Sequence, residues 1–147
     1  MRLRPAVAAD APGLRALVES AYAVYVPRIG LRPAPMDADY DDLVARGLVT
    51  VAEAGGDLAG TLVLVPAADH LLIENVAVDP THQGEGIGAA LMRLAEERAR
   101  AGGIGEIRLY THRLMTENRA WYARLGYEET SRETQDGFDR IFFSKRL

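Results

Sequence analysis

A chain of 147 residues, 48% hydrophobic and 26% charged, is long enough for one domain with a real core and has an ordinary soluble composition. Its net charge of −4 argues against a broad basic footprint for nucleic acid, and no apolar run approaches the roughly 20 residues of a membrane helix. The absence of cysteine excludes disulfides, thiol catalysis and Cys-ligated zinc, while His70, His82 and His112 lack the paired spacing of a metal site.

The N-terminus carries an early Asp and no apolar signal core, so a cytosolic setting is expected. Residues 1–6, MRLRPA, read as a first strand. Asp10 can N-cap a helix that tolerates Pro12 in its first turn, and Leu14, Leu17, Val18, Ala21 and Tyr22 follow at helical spacing. Residues 26–37, VPRIGLRPAPMD, hold three prolines and a glycine and are expected to be irregular. Asp39 to Arg46 form a short second helix ended by Gly47. LVTVAEA (48–54) and LAGTLVLVPA (58–67), joined by GGD, read as a hairpin. LLIENVAVD (71–79) is apolar on both faces, which suits a central strand. Ile87, Leu91, Leu94 and Ala95 give a long helix its buried stripe, and EIRLYTH (106–112) is another strand. Thr116 can cap a helix over 117–125 closed by Gly126, and a last hairpin turns at Asp136-Gly137. The order β-αα-βββ-α-β-α-ββ describes an α/β protein, one mixed sheet with helices packed on it, in a single domain over residues 1–147.

HQGEGIG, residues 82–88, leads straight into the helix-forming run AALMRLAEERARA. A helix start leaves backbone N–H groups unpaired at the positive end of the dipole, and glycines let a ligand approach the main chain closely. Gly84, Gly86 and Gly88 therefore outline an anion pocket, most often one for phosphate; the alternative is a flexible strand-to-helix connection that binds nothing. No Lys-Ser or Lys-Thr follows, so the Walker pattern fails. Gly84-x-Gly86-x-x-Ala89 satisfies the dinucleotide fingerprint as written, but PTHQ separates it from its strand, and Glu106 opens a strand where an acidic residue should end one.

Val76-Ala77-Val78-Asp79-Pro80-Thr81-His82-Gln83-Gly84-Glu85-Gly86-Ile87-Gly88 resembles the acetyl-CoA loop of the GNAT family of N-acetyltransferases, whose Gln/Arg-x-x-Gly-x-Gly/Ala signature is met by Gln83, Gly86 and Gly88. Asn118-Arg119-Ala120-Trp121-Tyr122-Ala123-Arg124-Leu125-Gly126-Tyr127 resembles a later helix of the same family. The resemblance implies the acyl-CoA N-acyltransferase fold, a mostly antiparallel sheet of six to seven strands flanked by about four helices. It also implies acetyl-CoA as cofactor, a small-molecule or peptide amine as acceptor, and a homodimer as in many family members.

Residue by residue, the resemblance implies that Asn75, Val76, Ala77 and Val78 pair with the pantetheine arm through the main chain. The amides of Gln83, Gly84, Glu85, Gly86, Ile87, Gly88 and Ala89 hold the pyrophosphate. The Val76 amide faces the developing oxyanion. Asn118 and Tyr122 lie four apart on one helix face; Asn118 contacts the pantetheine region and the Tyr122 phenol, ordinarily with a pKa of about 10, protonates the departing sulfur. The alternative makes Tyr122 an amphipathic rim residue beside Trp121; Trp121 and Leu125 themselves are expected in the core. Glu74, the one charge inside LLIENVAV, is the candidate base, directly or through water; the alternative pairs it with Arg108 on the adjacent strand. Tyr22, Tyr25, Arg28, Tyr40 and His112 are the acceptor-side candidates, with helix anchoring and solvated arginines as the competing reading. Two functions remain: direct acetyl transfer to an amine, or a sensor domain that binds acetyl-CoA without turnover.

Overall fold

The computed structural model describes residues 1–147. Its seven strands form one sheet in the order β1-β2-β3-β4-β5-β7-β6. The chain forms two compact units, the first from Met1–Leu64 and Asn75–Ala95, the second from Val65–Glu74 and Glu96–Leu147. No helix is long and apolar enough to cross a membrane.

In the first unit, β1 (Arg2–Pro5) pairs antiparallel with β2 (Val49–Ala54), which pairs antiparallel with β3 (Asp57–Pro66). The turn between β2 and β3 is the pair Gly55-Gly56, both left-handed at φ 59° and 86°. Two positive φ values in a two-residue loop match the twist of a hairpin, so the connection is tighter than GGD suggests. Helix α1 (Ala11–Tyr22) buries Ala11, Leu14, Leu17 and Val18. Leu14, Leu17 and Val18, each worth roughly 1.5–3 kcal/mol when fully buried, cluster with Tyr40, Val49, Val51, Val63 and Ala77.

Two local readings of the sequence change. Asp10 has helical dihedrals and makes no cap bond to α1; its carboxylate accepts from the Val7 amide at 2.7 Å and from Arg4 Nη1 at 2.8 Å. The preceding 3₁₀ turn, Ala8–Asp10, takes the capping group first. Residues 26–37 are partly regular: α2 (Tyr25–Ile29) is stopped by Gly30 in the left-handed region, and a 3₁₀ turn covers Ala34–Asp37. Short pieces of this kind accommodate proline because they demand few backbone donors. Asp39 caps α3 (Tyr40–Ala45) by accepting from the Asp42 amide at 3.1 Å.

Strand β4 (Leu71–Val78) enters α4 (Ile87–Ala101) through a 3₁₀ turn at Pro80–His82. A Cβ built at Gly60 of β3 would lie 2.8 Å from Ile87 Cγ2 and 3.2 Å from Leu91 Cδ1 and the Ala77 carbonyl. The missing side chain thus lets the start of α4 press onto the sheet.

In the second unit, Leu71, Leu72 and Ile73 of β4 pair in parallel with Ile107, Arg108 and Leu109 of β5 (Glu106–His112). Helix α5 (Thr116–Arg124) follows, with Thr116 as its first residue and no side-chain cap; Met115 occupies the cap position. Strand β7 (Phe138–Arg146) lies between β5 and β6 (Glu128–Gln135), antiparallel to both. The β6–β7 turn is Asp136-Gly137, at φ 52° and 82°, as the Asp-Gly pair predicts.

Candidate functional site

The glycine loop is built from its anchors inward. The Asp79 amide donates to the Ala59 carbonyl at 2.8 Å, which ties the end of β4 to β3. The Asp79 carboxylate accepts from the Thr81 amide at 2.9 Å and the Thr81 hydroxyl at 2.8 Å, and these bonds hold it below the usual carboxylate range. At the other end Ile87 is 2% exposed, locked beneath the helix start. Between the anchors Gln83, Gly84, Glu85 and Gly86 are exposed.

Gly84 and Gly86 sit at φ 84° and 82°, and a Cβ at either would meet nothing within 4 Å. Glycine is required here by conformation; crowding plays no part. Gly88, by contrast, lies inside the first turn of α4. The Ala90 amide reaches back to the Gly86 carbonyl at 3.1 Å, so the intrahelical ladder starts there. N–H groups ahead of that point belong to the unpaired set at a helix start, and they border open space. This combination of accessible amides, a positive dipole end and room beside the main chain fits a diphosphate.

His82 braces the loop. Its Nδ1 lies 3.1 Å from Glu85 Oε2 and its Nε2 lies 3.5 Å from Asp57 Oδ2 at the start of β3. The Glu85 contact, with Asp57 behind it, raises the His82 pKa above its ordinary value. The spacing of three residues in His82-Gln83-Gly84-Glu85 could have signalled this clamp; the Asp57 partner, far away in sequence, could not.

On β4 the side chains alternate. Asn75 and Ala77 are buried, while Val76 and Val78 are half-buried. Asn75, expected to act through its backbone, also has an engaged side chain: Oδ1 accepts from the Tyr22 hydroxyl at 2.7 Å and Nδ2 donates to the Tyr40 hydroxyl at 3.3 Å. Tyr40 in turn donates to the Pro35 carbonyl at 2.7 Å. Tyr40, expected on the acceptor side, is therefore a core residue at 1% exposure, its polar tip spent on this chain of bonds. Tyr22 is half-buried, and its ring centroid lies 6.2 Å from that of buried Tyr25. The Arg28 guanidinium is stacked 5.1 Å over the Tyr25 ring.

In the second unit Glu74 does not pair with Arg108. Arg108 bonds Glu106 at 2.8 Å and approaches Asp69 at 3.7 Å, whereas Glu74 Oε1 accepts from the Tyr110 hydroxyl at 3.4 Å. Arg108 is exposed and follows Glu106 on the same strand face, so the nearer carboxylate takes it. Burial, assisted by the Glu74 charge, raises the Tyr110 pKa. No spacing rule marks Tyr110, because it meets Glu74 across two strands.

Tyr122 is 6% exposed and packs against Trp121, Phe143 and Tyr127 at centroid distances of 5.3, 5.9 and 6.3 Å. Trp121 and Leu125, expected in the core, are only half-buried. The helical rotation places Tyr122 inward instead. Asn118 is half-buried, with Nδ2 3.7 Å from Met115 Sδ. Nearby, Lys145 Nζ donates to Glu96 Oε1 at 2.6 Å and to the Leu125 carbonyl at 2.8 Å. His112 is 8% exposed; its Nδ1 accepts from the Leu114 amide at 3.0 Å, and burial lowers its pKa. Its ring turns an edge toward Phe138 at 6.4 Å, so His112 organises the β5–α5 connection.

The model of the acetyltransferase (GNAT) family matches residues 14–127. The chain belongs to the GNAT family. Streptothricin acetyltransferase of Streptomyces lavendulae is 37% identical over 92 residues, covering 61% of this chain and 48% of that protein. Mycothiol acetyltransferase of Nocardia farcinica is 42% identical over 84 residues, 56% of this chain and 26% of the relative. Rat N-acetyltransferase family 8 member 3 is 33% identical over 86 residues, 54% and 38%. The GNAT chain thus spans about half or less of the curated relatives it matches. A crystal structure of the PaiA N-acetyltransferase of Thermoplasma acidophilum, in complex with coenzyme A, shares the fold: the TM-score is 0.84 at 21% identity, covering 99% of this chain and 98% of the other.

Proposed function

We propose that this GNAT chain is an N-acetyltransferase that moves the acetyl group of acetyl-CoA directly to a primary amine on a small molecule, peptide or protein. The observation that carries the reading is the pair of left-handed, unobstructed glycines, Gly84 and Gly86, at the mouth of α4. Acetyl-CoA supplies an acetyl thioester, already activated for transfer to nitrogen.

In this reading the amides from Gln83 to Ala89 bind the diphosphate, and the main chain of Asn75 to Val78 binds the pantetheine arm. The Asn75 side chain accepts from Tyr22 and donates to Tyr40, which supports a rigid β4. The Val76 N–H donates to the acyl oxygen as charge develops on it. A primary amine with an ordinary pKa of about 10.4 must lose a proton before attack. Glu74 Oε2 takes that proton, directly or through water, while Oε1 keeps its bond from Tyr110. The Tyr122 hydroxyl holds a proton for the leaving sulfur, and Asn118, one helical turn before it, orients the pantetheine.

The test is CoA release from acetyl-CoA with a panel of amines, read alongside acetyl-CoA affinity. Amine-dependent release with micromolar affinity supports transfer. Tight acetyl-CoA binding with no acetylation of any amine would make the chain a sensor.

A further inference from the structure

On one face of the second unit's sheet, two opposite charges stand at either side of a single aromatic ring. Tyr110 is half-buried in β5 and faces Phe142 of β7, its register partner, at a centroid distance of 5.8 Å. Its hydroxyl donates to Glu74 at 3.4 Å. The Arg140 guanidinium stacks over the Tyr110 ring at 4.7 Å and over Phe138 at 5.6 Å.

Neither charge has an ionic partner. Glu74 accepts only the long bond from Tyr110 and forms no salt bridge. Arg140 donates Nη1 to the Gln135 side chain at 2.9 Å, and every other half-buried arginine, Arg4 and Arg119, is paired with a carboxylate. The other arginines are exposed. A partly desolvated guanidinium stacked on two rings keeps its forked donors oriented and is suited to a bidentate carboxylate. A partly desolvated carboxylate without a cation is suited to an ammonium group. Aromatic surface between them accepts apolar carbon.

We infer that this platform is the acceptor subsite and that the acceptor is an amino acid or an amino-acid-like amine, its nitrogen at Glu74 and its carboxylate at Arg140. The inference rests on the transferase reading for the role of Glu74 and goes beyond it by naming the acceptor's second charge. Arg140 is then a specificity-determining residue. Glu133, the register partner of Arg140 on β6, accepts from Gln135 Nε2 at 2.7 Å, and Asp139 pairs with Arg113 at 3.5 Å, so neither neighbouring carboxylate takes Arg140.

The experiment measures ligand-observed NMR binding of each common L-amino acid and its C-terminal amide to the full chain, without turnover. Acetyl-CoA affinity is recorded separately. At least one amino acid should bind about ten- to a hundredfold more tightly than its amide, the range of one charge-assisted pair. Arg140→Gln should erase that preference without changing acetyl-CoA affinity or the circular dichroism melt, and Arg140→Lys should restore part of it. No preference for any acid over its amide, or a preference that survives Arg140→Gln, overturns the inference. Loss of acetyl-CoA binding with the amino-acid preference intact would instead overturn the transferase reading alone.

Discussion

Residues 79–89 and residues 106–146 present functional groups by different means. The first stretch offers main-chain amides on an exposed loop held at its ends by Asp79 and Ile87. The second offers side chains, Tyr110, Tyr122 and Arg140, fixed by aromatic packing between strands and a helix. A main-chain site depends on backbone dihedrals and tolerates variation at most side chains. A side-chain site depends on single atoms. Substitutions should therefore fail differently in the two regions.

The largest effect belongs to the side-chain region. Tyr122→Phe removes one oxygen from a packed ring and should lower kcat by roughly 10²–10⁴-fold with acetyl-CoA affinity nearly unchanged. Steady-state kinetics beside calorimetry separates the two quantities, and full kcat would remove Tyr122 from the acid role. In the loop, Gly86→Val should weaken acetyl-CoA binding by more than about a hundredfold, since a β-branched residue cannot rest at φ 82°. Open space around that position means the fold should survive, which a thermal melt checks.

Intermediate in size is the ion pair beside Tyr127. Lys145 and Glu96 are 26% and 16% exposed, between surface pairs worth roughly 0–1 kcal/mol and buried ones whose disruption costs roughly 3–5. Lys145→Met, which also strips the Leu125 carbonyl of its donor, should cost about 2 kcal/mol in urea unfolding. A change below about 0.5 kcal/mol would show the pair to be solvated.

The smallest effects set two histidines against each other. His82 has a raised pKa, so its contribution to stability is fully present below the unfolded value of about 6.5 and is lost as pH rises through the folded value. His112 has a lowered pKa, so its contribution is present above about 6.5 and is lost as pH falls through the folded value. His82→Gln should flatten the alkaline side of the melting-temperature profile and His112→Gln the acidic side. Identical profiles for both variants would contradict the assignment.

The same contrast governs what the sequence discloses. Strand and helix order, the Asp-Gly turn and the glycine run are local patterns, and the period of each element is written in consecutive residues. Asp10 misleads because a short turn competes for the same carboxylate just upstream of the helix. Which of Trp121 and Tyr122 faces inward is fixed by how α5 meets Phe143, a residue about 20 positions later on β7. Glu74 with Tyr110, Asn75 with Tyr40, and His82 with Asp57 are all joined across strands or loops. Loops that bind through the backbone leave a spacing signature; clusters of side chains from separate strands leave none.

Calorimetric titration of the intact chain with acetyl-CoA tests the central claim most directly. A single site of micromolar affinity that disappears in Gly86→Val is the predicted outcome. No heat and no thermal stabilisation of the folded wild-type chain at millimolar acetyl-CoA would contradict it.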